Sequence, residues 1–149
     1  MCRGITTWPG CPAYVAPSST VALTASITVP AGTTYDGGGK RFQLSNGGQA
    51  EGQPPVFDLE EGATLRNVVI GNLAADGVHC KGNCTIQNVY WEDTCEDAAS
   101  NLGAGSTVTV KNVIIAGATD KALQHNSKNS TTVLLDSYIV DTGKVWRSC

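Results

Sequence analysis

The chain repeats one phrase four times, as LRNVVI at residues 65–70, IQNVYW at 86–91, VKNVII at 110–115 and LDSYIV at 135–140. Each copy is rich in β-branched residues, and Gly, Asn, Asp or Thr residues flank it. This composition is typical of strands that end in tight turns. The sequence therefore predicts a β-strand at each copy.

The spacing of the copies indicates how these strands are arranged. The third positions, Asn67, Asn88, Asn112 and Asp136, recur at nearly constant intervals. Their period is typical of stacked solenoid coils and not of helical heptads. Stacked asparagine side chains bond one another inside such coils, so we interpret them as structural. The prediction is an all-β parallel solenoid with coils of about 21–24 residues.

Charged residues recur eight or nine positions beyond these anchors. Residues at equal offsets stack on neighbouring coils, which lie about 4.8 Å apart. The first two coils carry carboxylates, and the next two carry ammonium groups with a guanidinium close behind. The members of this predicted column are Asp76, Glu96, Asp97, Asp120, Lys121, Lys144 and Arg147. We interpret the column as the candidate functional site.

The composition of the chain indicates which kinds of ligand it can bind. The chain has 149 residues, 17 glycines, 15% charged residues and a net charge of −3. This balance, without a basic patch, argues against nucleic acid, and no run is long enough to span a membrane. An anionic substrate would need a local cationic patch, which Lys121, Lys144 and Arg147 are placed to supply.

We expect a single domain, with residues 1–19 as an irregular cap or tail and residues 20–149 as the solenoid. Residues 37–55 are expected to form a long loop. Residues 1–4 lack the apolar segment of a signal peptide, so secretion would require a leader that has been removed. Six cysteines are compatible with disulfides in an oxidising compartment, in several pairings. Cys80 and Cys84 also admit a zinc knuckle, although no second ligand pair follows at the usual spacing.

The two histidines, His79 and His125, have no nucleophile within a recognisable motif. We interpret His79 as structural. His125 lies four residues beyond Lys121 and stays a candidate for lining the site.

The carboxylates Asp76, Glu96 and Asp97 would repel one another if they were unpaired. One interpretation is a surface ion-pair network with Lys121. The other is a bound Ca²⁺, which takes several oxygen ligands in flexible geometry. A uronate held by Ca²⁺ and lysine has an acidified α-proton. The cations therefore favour elimination over hydrolysis by an uncoordinated acid pair.

At these residues the sequence resembles the family three polysaccharide lyases, which are small secreted pectate lyases. The resemblance runs from about residue 27 to residue 149. It is carried by TVPAGTTYDG at 28–37, LRNVVIG at 65–71, ADGVHC at 75–80, WED at 91–93, EDA at 96–98 and GKVWRSC at 143–149. It implies a right-handed parallel β-helix and calcium-dependent β-elimination of polygalacturonate, an acidic plant cell-wall polysaccharide.

The resemblance also implies roles for six residues. Asp76, Glu96 and Asp97 match the family's calcium ligands. Lys121, Lys144 and Arg147 match its basic catalytic residues, with Arg147 as the proton acceptor and the lysines as carboxylate neutralisers. A neutral guanidinium is costly in water, so an alkaline optimum is implied. Lys121 is the rival base, because nearby like charges depress a lysine pKa.

Two departures from the family bear on activity. Relatives place another lysine near the position of Leu102, and they continue for several coils beyond Cys149. The solenoid is therefore expected to lack C-terminal coils and to be monomeric unless another chain covers its open edge. The alternative function is a non-catalytic or weakly active β-helix that binds acidic polysaccharide, and a solenoid without a ligand comes third.

Overall fold

The computed structural model describes residues 15–47, 52–74 and 76–148, and most of them lie in short β-strands. The strands are β1 (Thr20–Leu23), β2 (Ile27–Val29), β3 (Thr34–Leu44), β4 (Phe57–Leu59), β5 (Ala63–Ile70), β6 (Val78–Cys80), β7 (Cys84–Trp91), β8 (Asp97–Asn101), β9 (Thr107–Lys111), β10 (Ile114–Ala116), β11 (Lys121–His125), β12 (Thr131–Leu135), β13 (Tyr138–Val140) and β14 (Lys144–Ser148). No helix in the described ranges is long and apolar enough to cross a membrane.

The strands form two sheets in which the pairs are parallel. Sheet A has the order β1-β3-β5-β7-β10-β13, and β9 and β12 continue it beside β7. Sheet B has the order β2-β4-β6-β8-β11-β14. Each coil therefore contributes strands to both sheets, as in a parallel β-helix. The predicted all-β parallel β-helix is confirmed.

The register across sheet B shows how much chain each coil contains. Phe57 pairs with Val78, and Val78 pairs with Ala99 on the next coil. Further along, Lys121 pairs with Asp97 on one side and with Lys144 on the other. These steps match the predicted period, which is typical of solenoid repeats. The earliest full coil, from β2 to β4, contains more chain than the coils that follow it.

The backbone of sheet A is left-handed at the column of anchor asparagines. Asn67, Asn88 and Asn112 have positive φ angles of 56°, 54° and 53°, a conformation that asparagine tolerates better than most residues. Asn88 Nδ2 donates to Asn67 Oδ1 at 3.2 Å, and Asn112 Nδ2 donates to Asn88 Oδ1. Asn67 Nδ2 in turn donates to the carboxylate of Asp36. The expected asparagine ladder is present, and it closes the corner of the coil.

The ladder changes the interpretation of the repeated phrase. In the third and fourth copies the strand breaks at the anchor, between β9 and β10 and between β12 and β13. In these two copies the phrase is two short strands joined at the anchor, and the prediction of one continuous strand is wrong there. Asn67 and Asn88 have the same left-handed backbone inside the continuous strands β5 and β7, so this conformation accompanies the break without being sufficient for it.

The predicted loop at residues 37–55 is wrong in its first part. Strand β3 continues to Leu44, with a register shift between Asp36 and Lys40. Gly38 and Gly39 lie in this shift with positive φ, so the glycines form a β-bulge inside the strand. Of the expected N-terminal cap, residues 1–14 lie outside the described part of the chain.

The core lies between the two sheets and consists of side chains that point into the coils. The largest fully buried ones include Trp91, Phe57, Leu59, Leu65 and Ile86. Tyr35, Phe42 and Phe57 pack together with ring centroids 5.3–5.9 Å apart. Because the core is continuous along the coils, the outward face of sheet B is held in a fixed register.

Candidate active site

A cleft of about 290 Å³ lies on the outward face of sheet B. Its lining is mostly charged or polar. It consists of Gly52, Asp76, His79, Glu96, Asp97, Ser100, Leu102, Lys121, Gln124, Asn126 and Arg147. The cleft is therefore lined by residues from five successive segments of the chain.

Strand register explains why Asp97, Lys121 and Lys144 lie next to one another. Lys121 of β11 pairs with Asp97 of β8 on one side and with Lys144 of β14 on the other. The predicted column is present for these three residues. A carboxylate and two ammonium groups thus start successive strands of sheet B.

A second row lies three residues further along the same strands. Its members, in order across sheet B, are Asp58, His79, Ser100, Gln124 and Arg147. Arg147 is exposed and forms no ion pair with a described residue. The guanidinium is therefore available to a ligand at the edge of the cleft.

Asp76 reaches the cleft through a turn that requires glycine. Gly77 has a φ of 55°, and a Cβ there would lie 2.2 Å from the carbonyl oxygen of Ala98. The close approach brings the Asp76 segment against the coil that starts at Asp97. Asp76 is near enough to raise the pKa of Asp97.

Lys121 is buried and holds two carboxylates. Its side chain is 6% exposed, and Nζ lies 3.3 Å from Asp97 Oδ1. It also donates to Asp120 Oδ2, and Lys144 Nζ donates to Asp120 Oδ1 at 2.8 Å. Burial acts to lower the pKa of Lys121, but the bonds to Asp120 and Asp97 outweigh burial and raise it. These contacts favour the charged form of Lys121.

Asp97 is a buried carboxylate that is incompletely partnered. Burial raises its pKa above the ordinary aspartate value, Lys121 opposes the shift, and Asp76 and Asp120 add to it. Oδ1 receives no hydrogen bond of good geometry despite the contact with Lys121. A hard cation beside this oxygen would relieve both the burial and the repulsion from Asp76.

The carboxylates alone do not enclose an ion. Among the described residues, no three Asp, Glu, His or Cys side chains converge closely enough to hold a metal by themselves. Asp76, Glu96 and Asp97 nevertheless line one cleft. The donor set fits a cation that takes its remaining oxygen ligands from water or a substrate.

The structure places five of the six predicted site residues in the lining of the cleft. They are Asp76, Glu96, Asp97, Lys121 and Arg147. Lys144 lies beside the cleft, where it is bound to Asp120. The roles of these residues stay predictions.

Several residues of the lining escaped the sequence interpretation. Ser100 and Gln124 lie three residues after Asp97 and Lys121, as Arg147 lies three residues after Lys144. This repeated three-residue offset is the feature of the sequence that could have indicated Ser100 and Gln124 as members of the cleft.

The positions of the two histidines are the reverse of those expected, since His79 lines the cleft and His125 does not. His79, interpreted as structural, lines the cleft with Nε2 3.4 Å from Asp76 Oδ2. His125 is instead buried, with Nε2 2.8 Å from Ser130 Oγ and Nδ1 3.0 Å from Thr132 Oγ1. It supports a polar network at the end of β11 and is not part of the lining of the cleft.

Cys80 and Cys84 form a disulfide across the turn between β6 and β7. The zinc alternative is therefore excluded. Cys95 is a buried free thiol whose Sγ lies 3.0 Å from the carbonyl oxygen of Asn72.

Fold and cleft together define a parallel β-helix protein with a charged cleft on the outward face of one sheet. The pectate lyase family model matches residues 12–149. The chain belongs to the pectate lyase family.

Individual relatives agree with this assignment. The chain is 45% identical over 141 residues to a probable pectate lyase E of Neosartorya fischeri, covering 89% of this chain and 54% of that protein. It is 42% identical over 141 residues to pectate lyase E of Emericella nidulans, with the same two coverages. The chain thus spans about half the length of the curated relatives it matches.

Solved structures give the same result. The catalytic domain of pectate lyase PelI from Erwinia chrysanthemi is 41% identical, with a TM-score of 0.70 over 90% of this chain and 59% of that chain. PelI in complex with tetragalacturonic acid matches with a TM-score of 0.67 at 41% identity, over 90% of this chain and 40% of that chain.

Proposed function

We propose that the chain is a calcium-dependent pectate lyase that cleaves polygalacturonate by β-elimination, leaving 4,5-unsaturated uronate ends. The observation that carries the proposal is the alignment of Asp97, Lys121 and Lys144 across sheet B, with Arg147 in the adjoining cleft. Membership of the pectate lyase family supports it. A relative bound to tetragalacturonic acid supports an acidic polysaccharide as the ligand.

Asp76, Glu96 and Asp97 are the residues that would hold the calcium ion. Calcium takes about six to eight oxygen ligands in adaptable geometry, so water and a uronate carboxylate can complete the set. When bound, calcium supplies positive charge that stabilises the anion that develops as the α-proton leaves.

Lys121 and Arg147 have different roles in the proposed reaction. Lys121 stays protonated through its bonds to Asp120 and Asp97, so it neutralises and orients the uronate carboxylate. Arg147 accepts the proton from C5 of the uronate. The electron pair of that bond forms the C4–C5 double bond, the bond from C4 to the glycosidic oxygen breaks, and the oxygen takes a proton from water. Because a neutral guanidinium is rare in water, the rate should rise toward alkaline pH.

We expect the protein to act outside the cell, where the disulfide between Cys80 and Cys84 is stable. Its partner is the polysaccharide, and we expect neither nucleic acid nor membrane as a ligand. A monomer stays the expected state.

The test is the ultraviolet absorbance of the unsaturated product, followed on polygalacturonate at alkaline pH with calcium and with a chelator. We expect absorbance to rise only with calcium. Arg147→Ala should lower kcat by about a hundredfold or more, as expected for the loss of a general base. Arg66→Ala is the matched control, since Arg66 is exposed on sheet A and pairs with Asp36 at 2.9 Å.

Product formation that is indifferent to the chelator would contradict the calcium requirement. A folded protein that binds the polymer without any product would replace the lyase by the non-catalytic binding function. An Arg147→Ala variant as active as Arg66→Ala would remove Arg147 from the reaction.

A further inference from the structure

Leu102 is an apolar side chain in an otherwise polar cleft. It is 38% exposed and lines the cleft beside Ser100 and Asn126. The other large exposed hydrophobic side chains of the described residues lie near the two ends of the described chain, at Val15, Leu134, Leu135, Val145 and Trp146. Within the described residues, Leu102 is therefore the one such side chain in the middle of the solenoid, and it faces the candidate ligand site.

The backbone fixes where this side chain lies. The amide of Leu102 donates to the carbonyl of Cys80 at 2.8 Å, and the amide of Asn126 donates to the carbonyl of Asn101 at 2.9 Å. Lys81, Leu102 and Asn126 therefore follow one another across sheet B, two residues beyond the row that contains Ser100. Residues two apart on a strand face the same side, so Leu102 belongs to the outward surface.

The charges around Leu102 differ from those at the other end of the cleft. Lys81 Nζ lies 3.1 Å from Asp58 Oδ2 and 3.4 Å from Glu60 Oε1. Two carboxylates thus surround the ammonium group of this row, and the neighbour on the other side, Asn126, is neutral. At the other end of the cleft, Lys121 and Lys144 are paired with Asp97 and Asp120, whereas Arg147 forms no ion pair with a described residue. A ligand carboxylate is attracted to Arg147 at that end and, among the described residues, finds no available cation at the leucine end.

We propose that Leu102 determines specificity, forming a subsite that accepts a neutral, methyl-esterified uronate next to the charged uronate held at Lys121. This inference rests on the proposed lyase function and deepens it. An ester group carries no charge that Asp58 and Glu60 would repel. Its methyl group would also cover the solvent-exposed apolar surface of Leu102. A free carboxylate at the same place gains no ion pair.

The experiment compares kcat/KM on polygalacturonate and on partly methyl-esterified pectin, by absorbance of the unsaturated product. We expect the wild type to use the esterified polymer at least as well as polygalacturonate. Leu102→Lys should shift the ratio toward polygalacturonate by up to about fivefold, as one partly exposed ion pair allows. Leu102→Ala should lower the ratio by about twofold or more through loss of the apolar contact, without a gain on polygalacturonate.

Leu135→Lys is the matched control, because Leu135 is 44% exposed on β12 of sheet A, outside the lining of the cleft. It adds the same charge and should leave the ratio unchanged. A wild type that turns over neither polymer would refute the lyase function itself. An active wild type whose ratio is the same in Leu102→Lys, Leu102→Ala and Leu135→Lys would overturn the subsite alone.

Discussion

Lys121 is a nearly buried cation, and its contacts with the carboxylates of Asp97 and Asp120 favour the charged form. Asp97 lies on the preceding coil, Asp120 precedes Lys121 in the chain, and Lys144 on the following coil holds the other oxygen of Asp120. Removing a single partner from such a set leaves a buried charge less well compensated. The cluster is therefore a structural requirement as well as a feature of the cleft.

Asp120 gives this cluster a measurable pH dependence. Its pKa is lowered from the ordinary value of 3.8 to about 2, first by the bond from Lys121 and then by that from Lys144. A carboxyl group whose folded pKa is depressed stabilises the fold above its unfolded pKa, and this stability is lost as the pH falls through the folded value.

Asp120→Asn should therefore lower the free energy of unfolding by a constant amount above about pH 5, with the difference shrinking between about pH 4 and pH 2. The difference should be about 1 kcal/mol or less, because the Asp120 side chain is 34% exposed and water screens the pair. Urea denaturation across this pH range is the measurement. Asp136→Asn is the control, since Asp136 is exposed and forms no ion pair with a described residue. A difference that grows toward low pH would contradict the assignment.

At the scale of the element, three successive coils have a left-handed asparagine at the anchor position, and the last has Asp136 in the same conformation. The side chain of Asn88 is bonded on both sides of the stack, to Asn67 and to Asn112. Alanine would lose both bonds and would also strain the backbone at a φ of 54°. The corner thus combines a conformational preference with a hydrogen-bond ladder.

Asn88→Ala should destabilise the fold by about 2–4 kcal/mol, the sum of roughly 1 kcal/mol for the backbone and one or two partly buried hydrogen bonds. Asn129→Ala isolates the backbone contribution, because Asn129 has a φ of 53° but is exposed and outside the ladder. Asn88→Gly should recover about 1 kcal/mol relative to Asn88→Ala. These differences are read from urea denaturation midpoints and slopes. Equal costs for Asn88→Ala and Asn129→Ala would show that the ladder contributes nothing.

The sequence predicted the period of the coils better than their corners. Periodicity reports which residues stack, so Asp97, Lys121 and Lys144 could be assigned to one column. Their exact pairing did not follow from the offsets, because Lys144 lies eight residues beyond its anchor and the other two lie nine beyond theirs. Periodicity does not report where the backbone turns, and the β-branched residues on both sides of Asn112 concealed the break between β9 and β10. The glycines at 38 and 39 likewise suggested a loop, although they form a bulge within β3.

The side-chain surroundings of the site were less predictable than its register. His79 follows the same strand pattern as many structural residues, and only the turn at Gly77 brings Asp76 to it. The partnership of Lys121 with Asp120 depends on side-chain direction at the start of β11, which offsets do not give. This partnership raises the pKa of Lys121, and the choice between Lys121 and Arg147 as the base stays a prediction.

At the scale of the whole molecule, the outward face of sheet B carries different charges at its two ends. Arg147, which forms no ion pair with a described residue, lies toward the last coils, whereas Asp58 and Glu60 share the single cation Lys81 toward the first coils. A charged polymer that crosses this face would meet a polarised surface, although the net charge of the chain is −3. The local field, and not the net charge, determines where an anionic ligand binds.

The most direct test of a calcium-dependent cleft is a calorimetric titration of calcium into the folded chain, with and without an oligogalacturonate. We expect binding that the oligogalacturonate strengthens, because its carboxylate would complete the ligands left open by Asp76, Glu96 and Asp97. Asp97→Asn should abolish this binding, whereas Asp141→Asn, an exposed control, should preserve it. Absence of calcium binding in the wild type, or equal binding by both variants, would contradict a calcium site in this cleft.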